Sequence, residues 1–162
     1  MNQSSENNEQ MNGNNYSRFF AMLGLSFIAM YITMYLNTYE IDHVYFSLTR
    51  FYMTCLGIAA MAIIMLSLML NMYKSRKKNI AIYTGSLILF LGALGLVRSQ
   101  KPVVDDVLYM EAMIPHHSIA ILTSKRADID DPEVRKLADD IIKAQEKEIA
   151  EMKRMIKRLQ EK

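Results

Sequence analysis

Thioethers and imidazoles crowd one short stretch of this chain, where Met110, Met113, His116 and His117 fall within a single segment. On a helix, Met110, Met113 and His117 stand at i, i+3 and i+7 and share a face, while His116 is i+3 from Met113. Pro115 sits among them. Inside a helix it removes one backbone hydrogen bond and crowds the carbonyl four residues back, at Glu111, so a kink is expected where these side chains gather. Downstream, a helical wheel centred on Ile141 brings Val134, Leu137, Gln145, Glu148, Met152, Met155, Ile156 and Leu159 within about 60° of it. Gln145 and Glu148 interrupt that apolar stripe, and an unpaired buried polar group costs roughly 1–3 kcal/mol. Both therefore need partners. The histidines across the turn are the expected ones, with Glu148 either ligating a metal or orienting an imidazole through its second nitrogen.

Thioether plus imidazole, without thiolate and with few carboxylates, suits copper, and Cu(I) in particular, better than Mg, Ca or Mn. Ferritin-type iron sites instead need Glu-x-x-His pairs, and here the residue three before His116 is Met113. The zinc-protease His-Glu-x-x-His pattern is absent. The alternative is a structural, dimerising or partner-docking module with no metal, in which the methionines fill a core and the histidines lie at its surface. An enzyme is the weakest reading, since no nucleophile, second carboxylate cluster, flavin motif or nicotinamide motif is present.

What positions these residues is a chain of 162 residues with charge very unevenly spread. Segments 19–36, 51–73 and 80–97 are apolar and long enough to approach or cross a hydrocarbon core of about 30 Å, so residues 18–98 are expected to form a three-helix membrane anchor. Residues 1–17 are rich in Asn, Gln, Ser and Glu and read as a tail without fixed structure. The net charge of +2, mixed in sign along the C-terminal half, gives no reason to expect nucleic acid as a partner. Cys55, the lone cysteine, lies in an apolar run and provides neither a disulfide nor a thiolate metal motif.

Lys74, Arg76, Lys77 and Lys78 make the densest short basic stretch, which the positive-inside rule holds in the cytoplasm. Three crossings then put the 37–50 loop and everything after Val97 outside. His43, beside Asp42 in that loop and on the hairpin's side, could lend a ligand but reads first as a solvated histidine, with nothing else at metal spacing around it. The spans carry their own methionines, among them Met30, Met34, Met61, Met65, Met69 and Met72, which read as apolar packing because no charged residue or histidine accompanies them.

After Pro102 the periodicity becomes helical with polar faces. One helix is expected over 103–125, with Asp105 and Asp106 in its first turn and Lys125 and Arg126 in its last, as the macrodipole favours. A second follows a 128–131 turn, with Asp131 as its N-cap, Pro132 at its first position and its end near Gln160. The fold class is thus all-α: three transmembrane helices, then an antiparallel two-helix hairpin over 103–162.

The pattern Met110-x-x-Met113-Ile-Pro-His116-His117-x-x-Ala120-Ile121, an acidic turn, then Ala138-x-x-Ile141-x-x-x-Gln145-x-x-Glu148-Ile149-x-x-Met152, resembles the bacterial family named domain of unknown function 305. The likeness covers about 103–155 and leaves the spans outside it. It implies a ferritin-like helical module that binds copper, with Met110, Met113, His116, His117 and Met152 as the matched positions. It further implies a role in copper sequestration or tolerance, with handover to a partner, on the periplasmic side of a bacterial cytoplasmic membrane. Larger members carry two such hairpins and this chain carries one. The missing half of a four-helix bundle is therefore expected from a second copy, as a homodimer.

Overall fold

The computed structural model describes residues 3–101 and 103–161. Among these the chain is helical without strands: α1 (Gln3–Thr33), a 3₁₀ turn (Ile41–His43), α2 (Leu48–Leu68), α3 (Arg76–Ser99), α4 (Asp106–Arg126) and α5 (Pro132–Gln160). Three stretches, Asn14–Thr33, Leu48–Leu68 and Arg76–Ser99, are long and apolar enough to cross a membrane. They match the three segments picked out by hydropathy, with ends shifted by a few residues.

The chain divides into two compact units, Met1–Tyr31 with Phe51–Ser99, and Ile32–Arg50 with Gln100–Lys162. The first holds the spans. Its core joins Tyr16, Phe19 and Leu23 of α1 to Ile58, Ala62 and Leu66 of α2 and Ile82 of α3, with Met30, Met61, Met65 and Met69 packed against it. That is the apolar role expected of these methionines. At one end of the unit the Tyr16 hydroxyl meets the Asn79 side-chain carbonyl and accepts from the Ser75 amide at 3.2 Å. α1 begins at Gln3, inside the segment expected to lack fixed structure. Once an apolar span is helical, each preceding residue needs only propagation and no new nucleus.

The second unit holds the expected chemistry. α4 is capped by Asp105, whose side chain accepts from the Leu108 amide at 2.8 Å, so this residue stands just before the helix and not in its first turn. The helix then runs unbroken through Pro115, which is buried. α5 starts as its local signals dictate: the Asp131 carboxylate accepts from the amides of Glu133 at 2.9 Å and Val134 at 3.0 Å, and Pro132 opens the helix. Arg135, near the start of α5, donates to the Ser124 carbonyl near the end of α4. Met110, near the start of α4, clusters with Ile114, Ile121, Ile149 and Ile156. The two chain directions are therefore opposed.

The buried line of α5 runs Ala138, Ile149, Ile156, with Ile142, Gln145, Met152 and Leu159 half-buried beside it. This alternation of three and four is the seam of a two-helix contact. It is turned about 50° from the stripe centred on Ile141, at about 100° per residue. Val134 and Leu137, expected inside, are 50% and 59% exposed. Hydrophobicity alone had drawn the stripe toward them.

Residues 32–50 also belong to this unit, which is therefore larger than the expected 103–162 domain. Arg50 clamps the two ends of the loop. Its guanidinium donates to the Met34 carbonyl, lies 4.3 Å from the centre of the Tyr35 ring and reaches the Pro115 carbonyl. Tyr35 in turn accepts from the Ser47 amide at 3.1 Å.

Candidate functional site

The α4–α5 seam has two flanks, and the loop covers one of them. On that side the fully buried Ser118 hydroxyl accepts from the Tyr39 amide at 2.7 Å and lies 3.0 Å from His43 Nδ1. Lys153 of α5 reaches back to Asp42 at 2.6 Å. Lys125 bonds Glu146 at 2.9 Å and lies 4.5 Å from the centre of the Tyr39 ring. Tyr39 and Tyr45 complete the cover over the core.

The opposite flank is a groove of about 540 Å³ lined by Asp106, Tyr109, Met110, His117, Glu148 and Met152, and by Met155 and Glu151 further along α5. Four of the six residues picked out from sequence meet here: Met110, His117, Glu148 and Met152. Met110 is 7% exposed, so its thioether is part of the core as well as of the wall. Met113 and His116 do not line the groove. Met113 shares the α4 face of Met110 and His117, whereas His116 is turned about 160° from the buried Ile114, at about 100° per residue. His116 is exposed, its ring 6.3 Å from that of His117.

His117 and Glu148 define the groove's polar floor. Glu148 Oε2 stands 3.1 Å from His117 Nδ1, with the imidazole side chain 15% exposed and the carboxylate 49%. Nδ1 is buried, and the approach lacks the alignment of a hydrogen bond, so this nitrogen is not satisfied within the chain. Burial pushes the His117 pKa below its usual value, against the pull of Glu148 and with a smaller push from His116. The ring is therefore neutral at pH 7, the form that can donate a lone pair to a metal. Glu148 sits at the exposed edge of the seam and not at its buried centre as the Ile141-centred stripe had it.

One cluster escaped the reading of the sequence. His43 is 7% exposed, and its Nε2 faces Asp42 Oδ1 at 3.6 Å and Glu40 Oε2 at 3.7 Å. It is not a solvated loop histidine. Potential ligand atoms of Glu40, Asp42 and His43 all fall within 4.8 Å of one another. The sequence signal was the Glu-x-Asp-His spacing itself; the burial comes from Ser118, far along the chain.

Residues 98–162 match the family described as domain of unknown function (DUF305). The chain is similar to the uncharacterized protein L153 of Acanthamoeba polyphaga mimivirus, at 36% identity over 141 residues, spanning 85% of this chain and 90% of that one. No solved structure matches.

Proposed function

This chain belongs to the domain of unknown function (DUF305) family, and we propose that it is a membrane-anchored copper-binding protein whose ligands line the α4–α5 groove. The observation that carries this reading is the half-buried His117 imidazole, its Nδ1 buried and unsatisfied, set in one groove with Met110, Met152 and Met155. These donors are soft or borderline, and together they favour Cu(I). Glu148, 3.1 Å from the unsatisfied Nδ1, lines the same groove and adds a carboxylate oxygen beside that nitrogen. Met113 and His116 do not line the groove and are left out of the proposed ligand set. The role proposed is sequestration or handover, resting on the imidazole and thioethers gathered in the groove.

The loop and the α4–α5 module form one unit, so they share a side of the membrane. With the basic 74–78 loop inside, that side is outside the cytoplasm, where no thiol pool competes for copper. The named relative is viral, so the side of the membrane, and not a bacterial envelope, is the placement proposed. The bare flank also favours a second copy. Val134 and Leu137 extend the exposed apolar surface of α5, and a second hairpin laid there completes a four-helix, ferritin-like bundle.

The test is Cu(I) titration of the detergent-solubilised full chain against a competing chelator. Stoichiometric binding that weakens at least about tenfold in His117→Ala supports the reading. Binding unchanged in His117→Ala together with Met152→Leu overturns it and leaves a structural or docking module in its place.

A further inference from the structure

We infer that Glu40, Asp42 and His43 form a second metal site, independent of the groove, for a borderline divalent cation of the zinc type. Carboxylates gathered on a surface would not by themselves indicate a ligand. Here they face a histidine that is more than nine-tenths buried and held in one orientation. The Ser118 oxygen, already accepting from the Tyr39 amide, has a second lone pair for His43 Nδ1–H. A cation on this side would select the tautomer protonated at Nδ1, which turns the Nε2 lone pair toward Glu40 and Asp42.

The distances fit a cation better than a hydrogen bond. At 3.6 and 3.7 Å, the Nε2 to carboxylate separations exceed hydrogen-bonding range. Bonds of about 2.0–2.2 Å in a tetrahedral zinc site separate its ligand atoms by about 3.3–3.6 Å. Asp42 divides its two oxygens between two tasks. Oδ2 takes Lys153 at 2.6 Å, and Oδ1 is the oxygen that faces His43. Lys153 thus fixes the carboxylate without occupying the metal position. A histidine held through its second nitrogen, with its partner carboxylate also held, is the outer-shell support that ligating side chains need. One imidazole with two carboxylate oxygens is a harder set than the thioether groove, and it selects zinc over Cu(I). Three protein ligands leave a fourth position for water, and because all three come from the loop the cation would stiffen its 3₁₀ turn.

The experiment is titration of Zn²⁺ alone into the detergent-solubilised full chain, with a competing chelator, for the wild type and for Glu40→Gln, His43→Gln and His117→Ala. Glu40 is exposed and Glu40→Gln keeps its shape, so it tests the site without endangering the fold. The expected result is one zinc per chain, weakened at least about tenfold by Glu40→Gln and by His43→Gln and unaffected by His117→Ala. Equal affinity in wild type and Glu40→Gln, or loss confined to His117→Ala, overturns the proposal. Neither outcome touches the Cu(I) reading of the groove, which is scored by a different metal and a different variant.

Discussion

His117 Nδ1 and Glu148 Oε2, 3.1 Å apart, join the middle of α4 to the middle of α5 across an otherwise apolar seam. The contact separates the two adjacent histidines in role. His117→Ala is expected to lower Cu(I) affinity at least about tenfold, and His116→Ala to leave it within about twofold, in parallel chelator competitions on the full chain. Equal losses would contradict the assignment.

Burial lowers the His117 pKa from 6.5, so between the folded and unfolded values the unfolded chain takes up a proton that the folded chain refuses. Stability from this group is complete above about pH 6.5 and falls as the pH drops below it. Thermal melts of the metal-free protein from pH 7.5 to 5 should show a decline in Tm that His117→Gln flattens.

Ser118 is 0% exposed and its hydroxyl serves both the Tyr39 amide and His43. Ser118→Ala strands a buried N–H, which costs roughly 1–3 kcal/mol. Chemical denaturation of the full chain, followed by amide exchange of α4 and the 34–47 loop, should report that loss.

The Lys153–Asp42 bridge is different in kind, because Asp42 is 67% exposed. Such pairs contribute roughly 0.2–1 kcal/mol and weaken with salt. Lys153→Met should speed amide exchange in the loop while leaving the α4–α5 seam protected, and high salt should do the same to the wild type.

Membrane sidedness can be read by placing single cysteines, in a Cys55→Ser background, at Glu40, Lys77 and Glu161. An impermeant thiol reagent added to sealed vesicles should label Glu40→Cys and Glu161→Cys from one side and Lys77→Cys from the other. Labelling of Glu40→Cys and Lys77→Cys from the same side would remove the crossing of α2.

Local signals were legible in the residues, and long-range ones were not. Asp131 and Pro132 mark the start of α5 because a cap acts within three residues of itself. Helical spacing put Met110 and His117 together, since relative angles along one helix depend only on periodicity. It could not say which face α4 turns to α5, and so Met113 and His116 entered the set as well. His43 looked solvated because the hydroxyl that holds it lies 75 residues away. Tyr16 was lost in a polar tail for the same reason, its partner Asn79 standing 63 residues on.

The loop that covers one flank of the seam is made before α2, and the helices it covers are made after α3. Its side chains therefore have no partners in α4 and α5 until α2 and α3 have been made. This unit is therefore the last part of the chain to close, and under the proposed topology its completion would report that the crossings before it were made in the right direction.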